Sequence, residues 1–227
     1  SVFFYWSLLR LSEGGWRRYI AWVAVPLSLG SLLFIETGRT GYVMTVTLLL
    51  WYLATQFSST KLKMAGVVFA IAGIGAAYYL HSGFNSRVNQ SVSNTVAYFE
   101  SGKGSSIGYR LEFYRNAIES WKMSPVVGNG VGSYRTTVEQ VGDPERPWGV
   151  GDNPHQQYLL FAAEGGALAF VLFIGFLLTY GFRSLRHKDR ILQGVVIAMA
   201  ISCLFNSSFL DSGDSHFYWL MLLLLAS

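Results

Sequence analysis

The chain has 227 residues, of which 52% are hydrophobic and 13% charged, with a formal net charge of +4. Its apolar residues fall in long blocks rather than in the interleaved pattern of a soluble core, which argues against a soluble globular domain and for a membrane protein. The excess of basic residues is concentrated in loops that read as a topology signal, so it gives little support to nucleic-acid binding, and membrane lipids are the expected surroundings.

Crossing the hydrocarbon as a helix takes roughly 20 apolar residues. In chain order, "SVFFYWSLL" reads as the tail of one span, and windows at about 19–35, 42–57, 64–80, 157–182 and 191–209 meet or approach that length, with a last one opening near 217. A chain that begins and ends inside apolar runs is expected to be a piece of a longer protein. The basic loops "RLSEGGWRR", "SSTKLK" and "RSLRHKDR" fall on one side of these spans, which the retention of Lys and Arg makes the cytoplasmic side. The turn "ETGRTG", the segment from about 81 to 156 and the turn "LDSGDSH" fall on the other. The expected organisation is therefore transmembrane helices over 1–80, an extracytoplasmic loop domain over 81–156, and transmembrane helices again over 157–227. Cys203, the single cysteine, lies in an apolar run and reads as a buried thiol; it can form no intrachain disulfide.

The loop domain is too long for a passive connection and is expected to carry structure or function. "SRVNQSVSNTVAYFESGKGSS" is polar and ends in a Gly/Ser stretch. Leu111, Tyr114, Ile118 and Trp121 then recur at helical spacing, predicting an amphipathic helix near 108–123 that ends before Pro125. "PVVGNGVGSYR" is glycine-punctuated: either a plain turn or a set of backbone N–H groups available to an anion, but without the pattern of a nucleotide-binding loop. A proline-rich loop, 141–154, leads to "NPHQQYLLFAAEGG".

Several polar residues carry candidate chemistry. Arg39 sits in a short external turn against the topology preference; it either pairs with Glu36 or binds an anion. On the 108–123 helix, Arg115 has Glu112 at i−3 and Glu119 at i+4, enough for ordinary surface ion pairs. Arg110 has no acid at i±3 or i±4 and shares a face with Tyr114, Ala117 and Trp121, so its guanidinium should look for an anion elsewhere. His155 follows an Asn-Pro turn and precedes an apolar helix; its imidazole is either a base at near-neutral pH or an interfacial, helix-capping ring. Glu164, beside Gly165 and Gly166 and on nearly the same face as Gln157, is an acid within the fourth span, fit either for a cavity or for close helix packing. Asp211 and Asp214 close the last external turn, where an acid can orient a histidine, bind a donor hydroxyl, or be solvated.

At "TGRTG", "YRLEFYRNAIESWKMSPVVGNGVGSY" and "NPHQQYLLFAAEGGALAFVL" the sequence resembles the O-antigen ligase and polymerase superfamily of bacterial envelope glycan assembly. The resemblance runs from about Arg39 to Phe173 and is most specific at the histidine block. It implies an all-α, polytopic transmembrane bundle, a GT-C-like glycosyltransferase with a large, partly helical periplasmic loop, of which this chain is the C-terminal half. It implies a Gram-negative inner-membrane enzyme moving a glycan from undecaprenyl diphosphate to lipid A-core, with neither metal nor other cofactor. By motif, the required residues map to His155 as catalytic base and to Arg39 and Arg110 as diphosphate ligands, and an acid of the last external turn maps to Asp211; Glu164, Gln156 and Tyr134 are further candidates for a supporting role. A histidine at this place favours a ligase over a polymerase, and Gln156 in place of the Asn of protein O-oligosaccharyltransferases leaves that branch open. A transporter or flippase would instead place its charged groups at mid-bilayer, where Glu164 is the clear example, and a non-catalytic assembly subunit would tolerate loss of His155 and Arg110.

Overall fold

The computed structural model describes residues 1–35, 39–102 and 104–226, and all regular structure among them is helical. The helices are α1 (Val2–Arg10), α2 (Trp16–Gly30, continued by a π-helical turn, Ser31–Ile35), α3 (Arg39–Gln56), α4 (Thr60–Leu80), α5 (Ser82–Ser101), α6 (Ser106–Met123), α7 (Tyr134–Val141), α8 (Gln157–Arg186), α9 (Arg190–Phe205) and α10 (Ser212–Ala226). They belong to two compact units, residues 1–89 with 184–201 and residues 90–183 with 202–227. The divisions at 89/90 and 183/184 fall inside α5 and α8.

In the first unit, α1, α2 and α3 pack together, and Tyr5, Leu48, Leu192 and Met199 are buried. Gly194 lets α9 approach α1, since a Cβ there would lie 2.4 Å from the Tyr5 ring. Polar side chains make specific ties: Trp51 Nε1 donates to Gln193 Oε1 at 3.1 Å, and Arg190 Nη2 to the Thr55 carbonyl at 2.9 Å. None of the residues of α4 is buried, and Phe69 and Leu80 are 81% and 85% exposed. A helix apolar all round and uncovered is consistent with a membrane span. By length and composition α4 and α8 can each cross a membrane, whereas α9 is apolar but shorter.

The second unit is built on α6. Ser105 caps its start, accepting from Gly108 N at 3.0 Å. The buried face differs from the expected one. It consists of Gly108, Glu112, Asn116, Ala117 and Ser120, while Ile118 is 38% exposed and Leu111, Tyr114 and Trp121 are half-buried. Polar residues occupy this face because distant segments satisfy them. Tyr98 donates to Glu112 Oε2 at 2.7 Å, Asn116 Nδ2 to the Gly149 carbonyl at 2.9 Å, and the Ser120 and Thr137 hydroxyls share a hydrogen bond of 2.6 Å. The apolar part of this core joins Ala117 to Tyr134, Val138, Leu160 and Ala163. The stretch before α6, polar in sequence, forms α5.

The fourth predicted span is not one continuous helix. Gly166 has φ 63° and ψ −162°, breaking α8 into 157–165 and 167–186. The "PVVGNGV" segment docks into the break. Asn129 N and Gly130 N donate to the carbonyls of Ala163 and Glu164 at 3.1 and 2.9 Å, while Ala167 N and Leu168 N donate to those of Pro125 and Val126 at 2.8 and 3.2 Å. Backbone groups released by the break are thus paired rather than left bare in apolar surroundings. Of the two readings of this glycine-rich stretch, the turn is the one these contacts describe, since Asn129 and Gly130 spend their N–H groups on α8. The last turn also starts earlier than predicted, because α9 ends at Phe205 and α10 begins at Ser212.

Two glycines are required by this docking. Gly128 and Gly166 both have positive φ, and added Cβ atoms would lie 2.2 Å from Glu164 O and 2.3 Å from Val126 O. Gly128→Ala and Gly166→Ala are expected to destabilise the protein by about 1–3 kcal/mol from backbone strain, with the clash adding to that. Gly175→Ala, at a position with open space, should not lower stability. Thermal unfolding of the three variants in detergent checks this ordering.

Candidate functional site

His155 occupies the junction between the proline-rich loop and α8. Pro154 before it is fully buried, and His155 itself adopts a left-handed backbone, φ 50°. Its N–H donates to Asn153 Oδ1 at 2.8 Å, closing a turn. The helix then starts with its own caps: the Gln156 carbonyl accepts from Leu160 N at 3.1 Å, and the Gln156 side chain accepts from Leu159 N. Gln156 is therefore engaged in starting α8.

The turn after α9 comes up against this junction. Gln157, 1% exposed, accepts from Phe209 N at 3.0 Å, and Ser207 Oγ donates to Asn153 Oδ1 at 3.2 Å. From α6, Arg110 Nη1 donates to the Phe205 carbonyl at 3.1 Å. Phe113, nearly one turn further along α6, lies against the His155 ring with centroids 5.9 Å apart. Three segments distant in sequence thus meet in one unit: the first turns of α6, residues 153–157 and residues 205–209.

The charges differ sharply along α6. Arg110, which has no acid at i±3 or i±4, is anchored by the neutral Phe205 carbonyl. Among the described residues it has no carboxylate in an ion pair, so none of them neutralises its charge. Arg115 lies 3.1 Å from Glu112 and 3.7 Å from Asp143, while Glu119, its other expected partner, pairs with Lys122 at 2.7 Å. Glu112 is fully buried and also takes Arg146 at 3.0 Å. The Arg115 contact lacks hydrogen-bond alignment at Glu112 Oε1, so Arg146 and Tyr98, both on Oε2, are the better-formed partners.

His155 is solvent-accessible, but neighbouring protein shields part of the imidazole. That desolvation, and secondarily the positive charge of Arg110, lower its pKa from the ordinary 6.5. A neutral ring at pH 7 follows, able to accept a proton from a hydroxyl.

The other sequence candidates are placed as follows. Arg39 opens α3, and its side chain lies outside the described residues. Tyr134 is 1% exposed, with its hydroxyl donated to the Phe113 carbonyl at 3.2 Å and its pKa raised by burial. Glu164 stands on the short half of α8 just before the break, and its Oε1 accepts from Tyr134 N at 3.3 Å, at the start of α7. Asp211 is exposed and caps α10, accepting from Gly213 N at 2.9 Å. Asp214 accepts from Ser202 Oγ at 3.3 Å. Asn153, Ser207 and Phe113 were not singled out from sequence. The Asn-Pro dipeptide signalled a turn, but the Ser207 contact spans 54 residues and has no local signature.

A family model described as O-antigen ligase matches residues 22–174, about two thirds of the chain and a range that includes Arg39, Arg110 and His155. No curated protein matches the chain. With so much of its length covered by that model, the chain belongs to the O-antigen ligase family.

Proposed function

We propose that this chain carries the active site of an O-antigen ligase that moves a glycan from undecaprenyl diphosphate to a sugar hydroxyl of lipid A-core. The observation that carries this reading is that His155 and an arginine with no acidic partner among the described residues, Arg110, are brought into one unit by α6 and the 205–209 turn. The family match supports glycan transfer of this type in general. The finer assignment rests on what these two side chains can do to a lipid diphosphate and a hydroxyl.

In the proposed reaction the acceptor oxygen attacks the anomeric carbon as the bond from that carbon to the diphosphate oxygen breaks. His155 takes the hydroxyl proton, the lipid diphosphate leaves with the bonding electrons, and attack from the opposite face inverts the anomeric centre. Negative charge grows on the leaving diphosphate, so guanidinium groups there stabilise the transition state more than the ground state. Arg110 and Arg39 take that role, since guanidinium matches phosphate oxygens bidentately. The sequence has no Asp-x-Asp motif to suggest a metal in their place. Asp211 and Glu164, with partners in a helix cap and at a helix start, act here as supports of the frame.

The apolar helices and the placement of basic loops support a multi-pass inner-membrane protein of GT-C-like architecture, with the His155 face in the periplasm and the basic loops in the cytoplasm. A polymerase or a protein O-oligosaccharyltransferase of the same superfamily would use the same donor and differ in acceptor, so supplying a lipid-linked glycan with and without lipid A-core separates them.

In a ligase-deficient Gram-negative strain, His155→Ala is expected to reduce capped lipopolysaccharide by about 10²–10⁴-fold, the range for loss of a general base. Arg39→Ala and Arg110→Ala should also fail to complement, whereas Arg115→Ala should retain more activity than Arg110→Ala. Normal capping by the first three variants sinks the mechanism; the reverse order for the two α6 arginines sinks the assignment of Arg110.

A base must be deprotonated, so kcat/KM should fall as pH drops through the His155 pKa, and the lowered pKa puts this acid limb below the ordinary imidazole value. Removing the neighbouring charge in Arg110→Gln should move the limb upward in the residual activity. A limb that stays in place or moves downward contradicts the electrostatic link.

A further inference from the structure

We infer that Asn153 is the positioning residue that orients His155, and that Ser207 ties it to the turn anchoring Arg110, so that the spacing between base and anion-binding guanidinium is set by this hydrogen-bonded connection. The inference rests on the reading of His155 as the base. Among the described residues, His155 and Lys188 are the non-glycine residues with positive φ, a conformation that persists when surrounding contacts hold it. The restraint at His155 is specific. Pro154 is fixed in φ and buried, Gln156 is committed to the start of α8, and between them the His155 N–H is held by Asn153 Oδ1. Relaxing φ from its left-handed value to the common negative region turns the Cβ about the N–Cα bond by more than about 100° and carries the imidazole away with it.

A turn cap would need only that one N–H. Here the same oxygen also accepts Ser207 Oγ–H, from a segment 54 residues away. Two residues before Ser207, the Phe205 carbonyl receives Arg110 Nη1. The connection therefore runs from Arg110 to Phe205, along the backbone to Ser207, across to Asn153 and into the His155 backbone, with contacts of 3.1, 3.2 and 2.8 Å. Transfer chemistry is sensitive to such spacing, since displacement of a reacting group by an ångström can cost about 10²-fold.

The test is steady-state transfer by the full chain in mixed micelles, with a polyprenyl-diphosphate-linked oligosaccharide as donor and lipid A-core as acceptor, alongside thermal unfolding. Asn153→Ala is expected to lower kcat by about tenfold or more with donor KM within about twofold. Asn153→Asp, whose carboxylate accepts both hydrogen bonds, should recover to within about threefold of wild type, and Ser207→Ala should lose about threefold or more. Wild-type kcat in Asn153→Ala overturns the inference, as does an Asn153→Asp variant no better than alanine. If Asn153→Ala does not fold, Ser207→Ala and Asn153→Asp decide, and unchanged kcat in Ser207→Ala overturns the connection. His155→Ala in the same assay separates the two levels: full activity there removes the base itself, whereas an inactive His155→Ala beside a fully active Asn153→Ala removes only the positioning role.

Discussion

Backbone groups freed inside an apolar environment must find partners, and the second unit is arranged around one place where they do. Breaking α8 at Gly166 releases carbonyls before the break and N–H groups after it, each of which would be costly to leave unpaired away from water. Residues 125–130 meet both sets with their own backbone. This segment joins α6 to α7, so its docking fixes α6 against the first half of α8, the half that begins beside His155. Gly128 and Gly166 permit the close approach because no side chain stands between the two backbones. The position of Arg110 relative to His155 depends on this junction as well as on the hydrogen bonds of the site itself.

A second constraint divides the arginines of this unit by function. Glu112 is a carboxylate with no exposure, and such a group is stable only if compensated. Arg146, Arg115 and Tyr98 gather around it, tying α5, α6 and the 143–149 loop together. Arg110 stands less than one turn away on the same helix but points into a different neighbourhood, where a carbonyl and not a carboxylate receives it. A carbonyl orients a guanidinium without neutralising it. The arginines around Glu112 are therefore spent on the fold, whereas among the described residues no carboxylate neutralises Arg110, as its proposed role requires.

The apolar helices were legible in the sequence because length and composition decide them, and neither depends on distant contacts. Thus α3, α4 and α9 begin within a few residues of the expected points. The contrast between Arg110 and Arg115 was likewise legible, since i±3 and i±4 neighbours are local. The buried face of α6 was not. Its apolar spacing pointed to Leu111, Tyr114, Ile118 and Trp121, but Glu112, Asn116 and Ser120 are buried because residues 98, 146, 149 and 137 supply their partners. Such pairing is set by tertiary structure and leaves no periodic trace. The break in α8 was half legible: the Gly165–Gly166 pair marked a weak point, but its use depends on a segment some forty residues earlier. In the site, the His155 turn could be read from Asn-Pro, whereas the contacts of Ser207 and Gln157 with it and with Phe209 could not.

The charge of Arg110 makes opposing demands on the proposed reaction, and donor binding reconciles them. Together with burial, the larger cause, it lowers the His155 pKa, which keeps the ring neutral but makes it a weaker base. A lipid diphosphate held by the guanidinium brings negative charge to the same place, offsetting that field and raising the proton affinity of the imidazole. In the proposed reaction the base is then strongest when the donor is in place. Inversion reinforces the geometry: acceptor and leaving group lie on opposite faces of the anomeric carbon, so base and diphosphate ligand must stand apart by about the width of the reacting sugar. In the proposed reaction Arg110, held by the Phe205 carbonyl, serves the leaving diphosphate while His155 serves the acceptor hydroxyl on the opposite face of the sugar.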